Sequence, residues 1–273
     1  MFQLCLNTST IRPRPLREKI EVAARAGYDM VELWCDDVER FVGDGGTMAS
    51  LRAQLRHAGL QVPSMIALGR WVEADAAGFT RFLCVAAERM EIAAALGCPR
   101  IVASPPIQTA HVELEVAGER YARLLSLGRR IGVLPMMEFL GFVPQIHDLR
   151  TCREVCARAC DRDATVVLDP FHIYRGGGSF DEVLTVPGWE IGICHFNDAP
   201  RDKPREAQVD ADRVQPGDGC LPLEDLVRSL RAVGYHGPLS LELFHPGLWE
   251  QDPEAVAADG LRRMRGIIER ASR

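Results

Sequence analysis

Thr165-Val166-Val167-Leu168-Asp169-Pro170-Phe171-His172 is the stretch on which the reading of this chain turns. Its first four residues, apolar or β-branched, read as a strand buried on both faces, the kind found in parallel sheets covered by helices. Pro170 has no amide to offer a sheet, so the strand stops just after Asp169. A carboxylate therefore stands at the carboxyl end of a strand, with the imidazole of His172 following in the next segment. In sheets flanked by helices that end is where ligands bind.

On either side of this stretch a unit repeats: a helical segment ends in Gly and an apolar run follows. Pro15 to Ala26 ends at Gly27 before Met30-Val31-Glu32-Leu33-Trp34, and Met48 to Ala58 ends at Gly59 before Leu60-Gln61-Val62-Pro63-Ser64-Met65. Phe79 to Leu96 ends at Gly97 before Ile101-Val102-Ala103-Ser104, and His111 to Ile131 ends at Gly132 before Val133-Leu134-Pro135-Met136-Met137-Glu138. Leu223 to Val233 ends at Gly234 before Leu239-Ser240-Leu241-Glu242-Leu243. Glycine takes the left-handed conformation that closes a helix. With Gln3 to Asn7, Thr165 to Asp169 and Ile191 to Phe196, the strands come to eight. Eight helices alternate with them, the sixth a short one from Ser179 to Val186 and the last from Pro253 to Ser272. Parallel strands need crossovers, so this alternation is an α/β chain, and eight units in 273 residues fit a (β/α)8 barrel. A doubly wound sheet is the alternative, but no Gly-x-Gly-x-x-Gly follows the first strand. No interdomain linker is visible, so residues 1–273 read as a single (β/α)8 TIM-barrel domain.

Composition narrows the function. With 47% hydrophobic and 26% charged residues the chain is an ordinary globular one, and its net charge of −6 argues against a nucleic-acid partner. No stretch is apolar enough to span a bilayer, and the start, Met-Phe-Gln-Leu-Cys-Leu-Asn-Thr, lacks the basic opening of a signal peptide. Nine cysteines, an odd number without knuckle spacing, fit reduced thiols and a cytoplasmic setting. Cys152, Cys156 and Cys160 fall on one helical face, and Cys5, Cys35 and Cys194 lie in apolar, strand-like runs. No feature specifies an oligomeric state.

The connections mark one rim of the barrel. Helix-to-strand loops are short, whereas Asn197 to Leu221, after the seventh strand, is long, charged and rich in Pro and Gly. Long loops in compact domains carry function or are disordered. This one lies on the rim that holds Asp169. Four successive strand ends there carry Glu138, Asp169, His195 and Glu242. Three carboxylates and an imidazole suit one divalent ion, Mn²⁺, Mg²⁺, Co²⁺ or Zn²⁺.

At these residues the chain resembles the xylose-isomerase-like TIM-barrel superfamily, and within it the inosose (2-keto-myo-inositol) isomerases. The likeness runs through Leu4-Cys5-Leu6-Asn7, Met137-Glu138-Phe139-Leu140-Gly141 and Val167-Leu168-Asp169-Pro170-Phe171-His172. It continues through His195-Phe196-Asn197-Asp198, Asp210-Ala211-Asp212-Arg213-Val214-Gln215-Pro216-Gly217-Asp218-Gly219 and Leu241-Glu242-Leu243-Phe244. The resemblance implies that Glu138, Asp169, His195 and Glu242 hold a metal. It also implies that Glu138 and Glu242 exchange protons with substrate carbon, and that His172 and Arg213 bind substrate oxygens. Asn7, Trp34 and Ser104 end other strands and are expected to line the pocket. Relatives of the endonuclease IV group need further histidines, which Pro63-Ser64-Met65-Ile66-Ala67, Ala103-Ser104-Pro105-Pro106 and Asp212-Arg213-Val214 do not supply. A three-metal nuclease is thereby disfavoured.

Two other chemistries are excluded by absence. The only lysines are Lys19 and Lys203, neither on a strand, so a Schiff base has no nucleophile. No Gly-x-Ser-x-Gly elbow occurs. The expectation is a metal-dependent isomerase that moves a carbonyl along a cyclic keto-polyol or related sugar through an enediolate. The rival on the same site is an inosose or 3-dehydroshikimate dehydratase. A non-catalytic sugar-binding barrel is the reading from another class.

Overall fold

A computed structural model describes residues 2–72, 75–105, 107 and 113–273. The strands β1 (Leu4–Asn7), β2 (Met30–Trp34), β3 (Met65–Leu68), β4 (Arg100–Ala103), β5 (Leu134–Met137), β6 (Val166–Leu168), β7 (Ile191–Phe196) and β8 (Leu239–Leu241) are parallel. They follow one another around a closed barrel, β8 pairing back onto β1. The helices that cover it are α1 (Leu16–Ala26), α2 (Cys35–Gly43), α3 (Met48–His57), α4 (Ala76–Ala95), α5 (Leu114–Ile131) and α6 (Leu149–Ala159). After them come α7 (Pro170–Arg175), α8 (Leu223–Ala232), α9 (Pro246–Trp249) and α10 (Pro253–Arg270). The eight-stranded (β/α)8 expectation is met. Gly27, Gly59, Gly97, Gly132 and Gly234 all adopt positive φ, between 68° and 94°, as helix-closing residues do.

Side chains alternate between the two faces of each strand, so the barrel has an inner and an outer apolar zone. Leu6, Val31, Leu33, Leu168 and Phe196 pack outward against the helices. A second cluster, Ile66, Val102, Met136, Val167 and Ile193, fills the interior. Two residues beyond Met136, Val167 and Ile193 stand Glu138, Asp169 and His195, so the polar group sits on this plug in the same inward phase.

Several boundaries differ from the sequence reading, each for a local reason. The third strand is Met65–Leu68 and not Leu60 to Met65; Pro63 cannot donate, and Gln61 makes only an isolated bridge to Met30. The segment Ser179 to Val186 holds a short 3₁₀ turn, Phe180–Thr185, capped by Ser179. Helix α7 begins directly at Pro170, a residue suited to the first helical position. Helix α2 was not expected, and it carries Cys35 on its first turn instead of in a strand. Cys160 closes α6 at φ 51° instead of continuing it. The expected start of the helix now numbered α5, at His111, lies outside the described residues. All nine cysteines are free, and among the described residues no helix is long and apolar enough to cross a membrane.

Candidate metal centre

Four strand ends deliver the expected residues to one point. Glu138 follows β5, Asp169 follows β6, His195 lies in β7 and Glu242 follows β8; all four are buried. One ligand atom from each falls within 4.8 Å of the others. His195 Nδ1 is the centre of the group, 3.0 Å from Glu242 Oε2, 3.4 Å from Glu138 Oε1 and 3.5 Å from Asp169 Oδ2.

Asp169 is held by its own chain. It is the N-cap of α7, its Oδ1 accepting from the amides of Phe171 (2.8 Å) and His172 (3.2 Å), and Asn197 Nδ2 donates to both of its oxygens. Its Oδ2 also meets Arg213 and faces the centre. Arg213 arrives on the long loop after β7, which is closed at its base by Asp198. That carboxylate accepts from the amides of Ala199, Gly217, Gly219 and Leu221 at 2.8 to 3.1 Å. A carboxylate surrounded by four backbone donors draws the two ends of the loop together, which fixes where the arginine enters. Arg213 is 1% exposed and lies between Phe171 and Phe244, 5.1 Å from each ring. It donates to Asp169 Oδ2 (2.8 Å), Glu242 Oε2 (2.7 Å) and Asp210 Oδ1 (2.6 Å), with His172 Nε2 at 2.9 Å. The amide of Gly141 lies 3.2 Å from His172 Nδ1, so only one ring nitrogen can accept at a time.

The electrostatics follow from crowding charges in a dry place. Burial pushes the Glu138 carboxyl up to about 7, with His195 opposing the shift. Burial would also raise Asp169, but Arg213 and the imidazole of His195 hold it well below the usual carboxylate range. For His195, burial is outweighed by Glu242 and Glu32, which push the imidazole well above its ordinary value. His172 is lowered by burial, so it stays neutral beside Arg213. The residues fit a divalent ion on their own evidence. Three buried carboxylates converge, and His195 Nδ1 is buried without an aligned hydrogen-bond partner among the described residues. Such a mixed O/N set suits Mn²⁺, Mg²⁺, Co²⁺ or Zn²⁺.

All six rim residues of the sequence reading meet here, and Arg213 does more than face the pocket, because it also braces Asp169 and Glu242. Asn7 is fully buried and donates to Glu32 Oε2 (2.8 Å) and Glu242 Oε1 (3.0 Å). Its carbonyl oxygen accepts from Trp34 Nε1 at 2.9 Å. Trp34 is half-buried at the mouth, edge-on to Phe244 with the Arg12 guanidinium over its ring. Ser104 shows its carbonyl to Trp71 Nε1 at 2.8 Å, and the neighbouring Pro106 lies outside the described residues. Glu32 was missed. It is a fully buried carboxylate paired in register with Asn7, and the available signal was a lone charge two residues before Trp34 in an otherwise apolar strand.

Comparison with known proteins agrees with this architecture. The inosose isomerase of Bacillus velezensis is 25% identical over 98% of this chain and 98% of its own length. The 3-dehydroshikimate dehydratase of Pseudomonas aeruginosa is 27% identical over 93% of this chain, which spans 40% of that longer protein. The crystal structure of the IolI protein with a zinc atom bound has the same fold, with a TM-score of 0.92 at 22% identity and 99% of both chains covered. The model of the xylose isomerase-like TIM barrel family matches residues 20–267, and the chain belongs to that family.

Proposed function

We propose that this single-domain barrel is a divalent-metal-dependent isomerase that shifts a carbonyl along a cyclic keto-polyol, an inosose or a closely related sugar. The observation that carries the reading is the buried convergence of Glu138, Asp169, His195 and Glu242, with Arg213 and His172 beside it. The inosose isomerases similar over nearly the whole chain support the substrate class. The same four side chains would hold the ion, which when bound supplies Lewis-acid stabilisation of charge building on the substrate's carbonyl oxygen.

The chain's own residues do the rest. One of Glu138 and Glu242 removes the proton from the carbon next to the carbonyl, and the other returns a proton to the neighbouring carbon. Both glutamates are buried, so the enediolate is shielded from bulk water while the proton moves. Arg213 braces the Glu242 carboxylate and, with His172, faces the oxygens on which charge develops. Trp34 and Phe244 offer an apolar wall for the ring carbons. Nine free thiols fit a reducing, cytoplasmic setting.

A dehydratase acting on the same α-proton is the second reading, favoured by the similarity to 3-dehydroshikimate dehydratase. The test uses Mn²⁺-loaded protein and 2-keto-myo-inositol. Glu138→Gln and Glu242→Gln should each lower kcat by about 10²–10⁴-fold, because an amide cannot relay a proton. Wild-type turnover by either variant would remove that glutamate from the mechanism. A product lighter by one water would move the reading to the lyases.

A further inference from the structure

Beneath the metal centre lies a fourth carboxylate, Glu32, that the mechanism does not use. Glu32 is completely buried in the barrel interior, and its hydrogen-bond partners among the described residues are an amide nitrogen, two hydroxyls and an imidazole, all able to donate. Asn7 Nδ2 donates to its Oε2 at 2.8 Å and Ser240 Oγ to the same oxygen at 2.7 Å. Ser64 Oγ donates to Oε1 in a short contact. The remaining neighbour is the imidazole of His195, whose Nε2 lies 3.3 Å from Oε2 and 3.4 Å from Oε1. The opposite ring nitrogen, Nδ1, points into the three carboxylates and has no aligned hydrogen-bond partner among the described residues.

We propose that Glu32 is the positioning residue of the metal centre: it accepts from Nε2–H of His195 and thereby turns the free lone pair of Nδ1 toward the ion. The proposal rests on the metal reading above. Carboxylates behind a ligating histidine fix its tautomer and ring orientation and raise its basicity. Four neighbours able to donate suit a carboxylate, which only accepts, at this position. Two of the donors, Asn7 Nδ2 and His195 Nε2, cannot become acceptors without a flip or a change of tautomer, whereas the serine hydroxyls can rotate. In a Glu32→Gln variant the amide nitrogen takes the place of one oxygen, 3.3 or 3.4 Å from His195 Nε2, so its hydrogens crowd Nε2–H and the charge that holds that proton is gone. The relief open to His195 is to carry its proton on Nδ1, which removes the lone pair from the metal side.

The experiment is Co²⁺ titration of metal-free wild type and Glu32→Gln by calorimetry, with the visible d–d band recorded and the metal-free melting curve as a check on folding. The variant should bind Co²⁺ about 10–100-fold more weakly, with a shifted or weakened band. Wild-type affinity and an unchanged band in the folded variant would overturn the role of Glu32 while leaving the metal centre standing. If wild type itself takes up no Co²⁺, the metal reading falls and this inference with it. Should Glu32→Gln fail to fold, Glu32→Asp, which keeps the charge but draws the carboxylate one methylene back from His195 Nε2, carries the test. Weaker binding with an altered band then supports the proposal, and an unchanged affinity and band overturn it.

Discussion

Replacing Arg213 by alanine should be among the most damaging single changes the barrel can suffer. The guanidinium stands 2.8, 2.7 and 2.6 Å from oxygens of Asp169, Glu242 and Asp210, and its own exposure is 1%. At an effective dielectric of about 20 each contact is worth roughly 6 kcal/mol in gross Coulomb energy. Desolvating the guanidinium offsets most of that sum. Breaking a buried pair by removing one partner costs about 3–5 kcal/mol net, because the abandoned charges stay buried. The two ring contacts, at 5.1 Å to Phe171 and Phe244, add about 0.5–2 kcal/mol apiece when desolvated. Urea unfolding of metal-free Arg213→Ala at neutral pH should therefore show a loss of at least about 3–5 kcal/mol. Lysine at this position keeps a charge but not the planar fork, and should recover only part of the loss. The deficit should narrow on acidification. Asp169 has its folded pKa depressed, so its share is present above the unfolded value of about 4 and fades as pH falls below it. A metal-free Arg213→Ala protein within about 1 kcal/mol of wild type would refute the reasoning, since a loss that small belongs to exposed pairs.

Metal binding supplies two further expectations. Purified protein should retain about one divalent ion per chain, with Asp169→Asn and His195→Ala losing it, as elemental analysis after gel filtration would read. Affinity for Mn²⁺ should rise with pH through neutrality in calorimetric titrations. The Glu138 carboxyl, pushed up to about 7, and the His195 imidazole, higher than its ordinary value, must both lose a proton to become ligands. A pH-independent affinity between about 6 and 8 would show that neither is a ligand.

The barrel was legible because its grammar is local. Glycines that close helices, and apolar runs that follow them, need only near neighbours to be read, and all five took the positive φ expected of them. The rim residues Glu138, Asp169, His195 and Glu242 were legible for the same reason, each a polar group ending an apolar run. Glu32 was not, because a charge inside a strand gains its meaning from the opposite wall. Its partners Asn7, His195 and Ser240 lie 25, 163 and 208 residues away along the chain. Arg213 was placed at the site by resemblance, but its bracing of two carboxylates depends on the fold of a long loop that Asp198 closes. The third strand was misplaced because Leu60 and Val62 look like strand residues, while the barrel takes its pairing from Met65 onward. Apolar patterning records burial, and burial alone does not distinguish a strand from the approach to one.

The measurement that goes most directly to the central claim is the fate of the substrate's hydrogen and oxygen atoms. Mn²⁺-loaded protein incubated with 2-keto-myo-inositol in D₂O, followed by NMR and mass spectrometry, reports both. The account predicts a product of unchanged composition in which the carbonyl has moved by one position. Deuterium should appear at the former carbonyl carbon to the extent that the abstracted proton exchanges with solvent. Loss of one water from the product, or recovery of unaltered and unlabelled inosose from metal-loaded protein, would contradict it.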